Sequence, residues 1–405
     1  MLYSASSVHV ATATPGFPDP DATLNATVQL LHDVGVECRV LSYEQVAKGH
    51  LTNREFKLLV LPGAQALSRP EVEAIRGFVE AGGALLADLR PGVTDENGRP
   101  YGKGALDEVF GVAQTASFKS LTAALPAAAL ANLTCDATLT LANGTAAGLA
   151  EAVPLLVSNR FGKGKATLLN FALVPYVNLP KAQGADFADW AAGTGWRGFM
   201  LRQATEAGVR VPVRVEPELP HLEVSRFRRD DLEYVGLIQG LPRAAIEYTN
   251  QVATAPTATP VRLTFEREAY VYDARNGGLL GRLDNLTTEI TPGLAKLYAL
   301  LPYEVKGLDL TPPRRVEAGK EITLGLTVKI RGRETPGRHV VRVELTDPAG
   351  KQLPYYAQNV LCEAGKGELR LTFALNDPPG KWRVTARDAA TGVTETATLR
   401  LLEGK

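Results

Sequence analysis

Ser6, Ser7 and His9, near the start of the chain, bring two hydroxyls close in sequence to an imidazole. A hydroxyl near an imidazole can work as a nucleophile with its base. The three follow a strand predicted to open at Leu2, and a polar loop at a strand end accounts for them equally well. Asp88 and Arg90 make a second group, just past the apolar run ALLA. Open α/β sheets bind ligands beyond the carboxyl ends of their strands, so these two are placed to line a polar pocket. An ordinary ion pair or a solvated loop is the plainer reading. The turn that follows Asp88 is Leu89, Arg90, Pro91, Gly92, which offers no Cys or Ser nucleophile. No catalytic residue is assigned on this basis. Ser6, Ser7, His9, Asp88 and Arg90 stand as candidates for a strand-end pocket.

Other motifs carry less. GKGK at residues 162–165 hints at a phosphate cradle, but the phosphate-binding pattern needs GxxxxGK[ST] running into a helix. An apolar run follows here, which predicts a hairpin turn. Asp95 to Gly98 is no calcium loop, since the glycine and terminal glutamate fall at the wrong positions. The histidines, His9, His32, His50, His221 and His339, are scattered, and no zinc spacing or cofactor motif is visible. A glycosidase needs two carboxylates at a set separation. Glu233, Glu247 and Asp273 are available, on strands whose carboxylates mostly face solvent. Tyr234, Tyr270, Tyr272, Tyr355 and Tyr356 suggest either a sugar-stacking platform or cross-strand packing.

The elements that must position these residues come in two styles. Residues 1–210 alternate strand and helix: LYSASS, a helix with Leu24, Val28, Leu31 and Val34 on one face, ECRVL, KLLVLP, a helix, and ALLAD. Ser68 and Glu71 form a capping box at the start of the second helix, Val72, Ile75 and Val79 make its buried stripe, and Gly82-Gly83 end it. This order predicts a flavodoxin-like, doubly wound parallel sheet with right-handed crossovers. An Ala-rich stretch without clear period covers 116–150, then PLLVSNRFGKGKATLLNFAL reads as a hairpin. A helix with Trp196, Phe199, Leu201 and Ala204 closes the region near Gly208. From Val211 onward helical period gives way to short alternating runs. These predict a small β-sandwich over 211–308 and, after Thr311-Pro312-Pro313, an immunoglobulin-like β-sandwich over 309–405 with Trp382 in its core. The fold class is thus α/β plus all-β, in several domains.

Composition narrows the function classes. In 405 residues, 44 Lys and Arg balance 44 Asp and Glu. A chain without net charge has no general attraction to nucleic acid or to an anionic membrane surface. No apolar run reaches the length of a membrane span. Cys38, Cys135 and Cys362 are far apart, in no disulfide or metal framework, with Cys38 reading as a small buried strand residue. Together with an N-terminus lacking the marks of a secretory signal, they lean the chain towards a cytoplasmic setting. Entry into structure at Leu2 itself suggests a piece of a longer protein.

YSASSVHV, LSYEQVAKGHL, KLLVLPGAQALS, IRGFVEAGGALLADLRPG and NRFGKGKATLLNF occur in that order. In sequence they resemble the trimerisation domain of family 42-type β-galactosidases, over about the first half of the chain. YVYDARNGGLLGR and PGLAKLYALLPY resemble the small β-domains that follow in such glycosidases. The resemblance implies a class I glutamine amidotransferase-like fold in the first domain and self-association as a trimer or dimer. It also implies a glycosidase barrel elsewhere in a longer parent and, through the β-domains, contact with carbohydrate. It carries no catalysis here. A (β/α)8 barrel needs about 250 residues of repeating units, and the amidotransferase Cys corresponds to the Leu89 region, which has none. The leading expectation is a non-catalytic assembly and accessory region. Its rivals are a diverged amidotransferase-like hydrolase and a stand-alone carbohydrate-binding protein.

Overall fold

The computed structural model describes residues 1–52, 56–179, 190–240 and 257–403. They fall into two compact units: the described part of 1–211, and that of 212–240 with 257–403. None of their helices is long and apolar enough to cross a membrane.

The first unit begins with a strand β1 of only Leu2–Tyr3, then helices α1 (Ala5–Thr12) and α2 (Pro20–Asp33). Strand β2 (Leu41–Ser42) pairs in parallel with β1. After α3 (Tyr43–Ala47) come β3 (Leu58–Leu61), α4 (Arg69–Glu80) and β4 (Ala84–Ala87). Helix α4 starts at the Ser68–Glu71 capping box and buries Ile75, Phe78 and Val79. A short α5 (Asp107–Phe110) and β5 (Val112–Ala113) lead to a β-rich excursion: β6 (Ser120–Leu125), β7 (Leu130–Asp136), β8 (Thr140–Leu141), β9 (Thr145–Ala146), β10 (Leu149–Ala150) and β11 (Val153–Pro154). Strands β12 (Leu156–Phe161) and β13 (Gly164–Leu169) form the predicted hairpin. Helix α6 (Thr194–Glu206) follows, with Trp196, Phe199 and Ala204 buried but Leu201 exposed.

The doubly wound parallel sheet is not what forms. The main sheet has order β3-β4-β13-β12-β9, and only β3, β4 and β13 run parallel. Strand β12 runs antiparallel to its neighbours β13 and β9, because the chain reverses from β12 into β13 through a tight hairpin rather than through another helical crossover. The GKGK glycines serve this reversal. Gly162 has φ +58°, and a Cβ on Gly164 would come within 2.3 Å of the Val79 and Gly83 carbonyl oxygens. Two predicted strands also shrink. LYSASS gives way to a helix at Ala5, because Ser4 caps it by accepting the Ser7 N–H. ECRVL is irregular up to Leu41, and Cys38 there is half-buried.

In the second unit, β14 (Val213–Glu216), β15 (Leu222–Arg229), β16 (Leu232–Gln239), β17 (Thr259–Asp273), β18 (Leu279–Ile290) and β19 (Lys296–Leu301) build one sheet. The predicted small sandwich is therefore a single six-stranded sheet. The cause is the long β17, which pairs with β18 along one side and with β14 and then β19 along the other. A register shift between Thr264 and Ala269 bends it.

The remaining strands are β20 (Val305–Thr311), β21 (Arg315–Glu317), β22 (Glu321–Ile330), β23 (His339–Thr346), β24 (Gln358–Cys362), β25 (Lys366–Thr372), β26 (Gly380–Asp388) and β27 (Thr394–Leu402). They form a three-stranded and a five-stranded sheet around one core, a β-sandwich with Trp382 fully buried. That core extends to Tyr272, Ala299 and Leu301 of the six-stranded sheet. At the β17–β18 turn, Gly278 donates its N–H to the Thr391 carbonyl at 3.0 Å. A Cβ on Gly392 would lie 2.4 Å from the Gly277 Cα.

Candidate functional site

Helix α1, not a strand-end loop, carries Ser6, Ser7 and His9. Ser7 is buried, and its hydroxyl donates to the Ala66 carbonyl at 2.9 Å while accepting the Ala66 N–H at 3.0 Å. Ser4 adds a second hydroxyl to the same carbonyl at 3.2 Å. Ser7 thus pins α1 to the loop after β3, and its oxygen is committed to that work. Ser6 is half-buried and His9 is exposed.

Asp88 and Arg90 do lie beyond the carboxyl end of β4, and both are buried. The Asp88 Oδ1 accepts the Gly63 N–H, while its Oδ2 is buried without a hydrogen-bond partner. Burial pushes this carboxyl up to about 7, and the Gly63 N–H pulls the other way. A carboxyl titrating near neutral pH is what a general acid or base requires. Among the described residues no nucleophile or second acid is hydrogen-bonded to it, and it is closed off from solvent.

Arg90 sits at φ +63° and turns its guanidinium inward. It forms an ion pair with Asp136 and donates to the carbonyls of Thr115, Ala116 and Ser117 at 2.9–3.1 Å. Asp136 also accepts from the Thr138 N–H and hydroxyl at 2.9 and 2.8 Å. Asn170 accepts the Asp136 N–H at 3.2 Å and donates to the Asp136 and Pro154 carbonyls. Gln114 closes the loop from the other side, donating to the Pro91 carbonyl and to Asp107. These contacts stitch the turn 88–92 to β7 and β13. They leave Arg90 no donor free to hold a substrate except Nε, which is buried and unpartnered.

Ser7 and Asp88 both hold the loop after β3, at Ala66 and at Gly63. Among the described residues no hydrogen bond or ion pair joins Ser6, Ser7 or His9 to Asp88 or Arg90. Asp136 and Asn170 escaped the sequence reading. Asn170 had a signal, a lone amide at the end of the apolar run ATLLNF.

A second polar cluster, in the sandwich, also went unread. His339 and Asp388 are fully buried, with His339 Nδ1 2.9 Å from Asp388 Oδ1 and Nε2 3.1 Å from the Tyr303 hydroxyl. Tyr303 accepts the Gly337 N–H at 2.7 Å, and Asp388 Oδ2 accepts the Thr391 N–H and hydroxyl at 3.0 and 2.6 Å. Every member of this chain has a buried hydrogen-bond partner. It is a closed network that fixes the core.

The remaining candidates stay apart. Glu233 is buried 3.7 Å from Arg226, and Asp273 caps the turn at Arg275 and Asn276. Glu247 lies outside the described residues. Tyr272 and Tyr356 are buried, with burial pushing each hydroxyl up to about 12. Tyr355 is exposed, while Tyr234 and Tyr270 are half-buried, so the five make no exposed aromatic row. No group of three or more metal-ligating side chains occurs among the described residues.

Comparison with known proteins locates this architecture. The chain is similar in structure to Gan42B, a GH42 β-galactosidase, at TM-score 0.51 and 16% identity, covering 74% of this chain and 40% of that one. A catalytic mutant of the same enzyme, from G. stearothermophilus, gives the same values. The β-galactosidase of Bacillus circulans sp. alkalophilus matches at TM-score 0.50 and 13% identity, over 70% of this chain and 38% of that one. The chain has the fold of part of a GH42 β-galactosidase. It spans about 40% of the length of those enzymes. No family model matches it, and no curated protein does.

Proposed function

We propose that this chain is an accessory and assembly region related to GH42 β-galactosidases, acting beside a catalytic domain rather than as one. The observation that carries this reading is the coverage: the likeness takes in 74% of this chain but 40% of the β-galactosidase. The strand ends support it, because the Ser7 hydroxyl and the terminal nitrogens of Arg90 are spent on internal contacts. In this reading the α/β region, 1–210, descends from an amidotransferase-like trimerisation domain whose nucleophile position is now the Leu89 region. It provides self-association, as a trimer or dimer. The regions 211–308 and 309–405 pack against a glycosidase barrel or touch carbohydrate.

The test has two arms. Nitrophenyl glycosides and glutamine are offered to the purified chain, and no turnover is expected. Activity that co-purifies and disappears with one point substitution would return the chain to the enzymes. Light scattering over a hundredfold concentration range is expected to show a reversible oligomer. A strict monomer throughout would take assembly away from these residues and leave the carbohydrate-contact role.

A further inference from the structure

The outer face of the five-stranded sheet, β21-β27-β26-β23-β24, is unusually rich in positive charge. Its inward residues, Trp382, Val384 and Leu399 among them, fill the sandwich core. On β26 the outward residues are Lys381, Arg383, Thr385 and Arg387. On β27 threonine recurs outward at 394, 396 and 398, and Arg400 follows. The register then sets cations side by side. Arg315 of β21 stands opposite Arg400, and Arg400 opposite Lys381, so one row crosses three strands on positive side chains. Arg387 stands opposite Arg342 of β23, and Arg383 is flanked by Thr398 and Thr346.

Neighbouring strands are about 4.8 Å apart, and like charges directly opposite one another destabilise a sheet. The acids on this face are already engaged: Glu344 meets Arg342 at 3.4 Å and Glu317 meets Lys320 at 2.6 Å. The three-stranded sheet across the core is built differently. There Lys329 meets Asp309 at 2.6 Å, and Glu368 alternates with Arg370 along β25. A chain with no net charge has thus gathered cations on one face of one sheet. A partner with repeated negative charge relieves the repulsion that this arrangement creates.

We propose that this face binds a linear acidic polysaccharide laid over β26 and β27. The planar arginine forks match two oxygens of a carboxylate or sulfate group. The threonine hydroxyls between them meet the hydroxyls of the sugar rings. Two observations select this occupant. The outward positions of β26 and β27 hold no aromatic ring, so they give nucleic-acid bases nothing to stack on. Apolar side chains occur only towards one margin, where exposed Val340 of β23 stands opposite exposed Leu361 of β24, whereas a protein interface wants an apolar centre. The choice of a sugar polymer rests on the carbohydrate-contact role proposed above and narrows it to acidic chains.

Binding of the full chain to polygalacturonate, dextran sulfate and neutral dextran is measured by calorimetry at low and high salt. Saturable binding to an acidic polymer is expected, weakening as salt screens the charges, with none to neutral dextran. Preference for polygalacturonate identifies carboxylates as the groups read, and preference for dextran sulfate identifies sulfates. Lys381→Ser, Arg383→Ser and Arg400→Ser should each weaken binding about three- to fivefold, and the triple variant about thirtyfold or more. These side chains are exposed, and parting like charges should leave the melting temperature unchanged or higher. Arg370→Ser, which removes one charge from the opposite sheet, should leave binding as it was. Polyglutamate or duplex DNA bound as tightly as the polysaccharide would replace the sugar polymer with a protein or nucleic acid and overturn the assignment. So would full binding by the triple variant, an equal loss in Arg370→Ser, or no binding of folded protein to either acidic polymer. Turnover and oligomer size are read separately, so failure here is distinguishable from failure of the accessory reading.

Discussion

The Asp88 carboxyl accepts the Gly63 backbone N–H with one oxygen and keeps the other buried without a partner. One side chain thereby ties the loop after β3 to the end of β4 and carries a desolvated charge when ionised.

That relationship makes stability depend on pH. The folded-state value, about 7, lies above the ordinary 3.8. Stability from the protonated form is therefore complete below about pH 4 and is lost as pH rises through 7, by up to about 4 kcal/mol. Asp88→Asn keeps the acceptor for Gly63 and cannot ionise. Its denaturation midpoint should gain on that of the unmodified protein between about pH 4 and 7 and keep that gain above pH 7. Equal pH slopes for the two proteins would show that Asp88 is not the titrating group.

Breaking the Arg90–Asp136 pair should be severe. Both groups are buried, and Asp136→Ala leaves the guanidinium without its anion. A loss of about 3–5 kcal/mol is expected in urea denaturation of the first unit. A loss below about 1 kcal/mol would mean that water replaces the carboxylate.

Ser68→Ala removes one half of the capping box and should cost about 1 kcal/mol. Glu71 Oε2 accepts the Ser68 N–H at 2.8 Å, and that bond survives the substitution, which keeps the effect modest. An unchanged midpoint would assign the helix start to Pro70 and the backbone alone.

Gly164→Ala distinguishes packing from phosphate binding. Its Cβ would meet two carbonyl oxygens at 2.3 Å, so β13 must shift away from α4. Destabilisation of at least about 2 kcal/mol is expected, with no effect of added phosphate on the size of the loss. Tolerance of the alanine would show that β13 can move freely.

In the sandwich, His339→Phe should cost about 1–3 kcal/mol, because Asp388 Oδ1 and the Tyr303 hydroxyl lose a buried partner. Thermal unfolding of the variant measures it. A neutral result would show that the imidazole contributes volume alone.

What the sequence displays well is whatever repeats locally. The α4 cap, its glycine stop, the β12–β13 hairpin and strands β22, β23 and β25–β27 were legible because each carries its own period and turn residues. Helix α1 was missed because Ser4-Ala5-Ser6-Ser7 has neither a helical nor a strand period; the deciding contact is one hydroxyl on one N–H. Strand β18 was missed for a different reason. It runs along the outside of β17 with few buried residues, so no alternation marks it. The candidate site failed on long-range pairing. Arg90 and Asp136 are 46 residues apart, and nothing local announces which carboxylate an arginine will meet.

Gly277 and Gly392 touch backbone to backbone, above a core that both β regions of the second unit share. Their meeting sets a rule for recombination. A crossover placed at the Pro312-Pro313 seam would join two halves whose glycines were never matched, and any side chain at either position would hold them apart. Libraries that shuffle related chains should therefore carry these two β regions across as a single cassette.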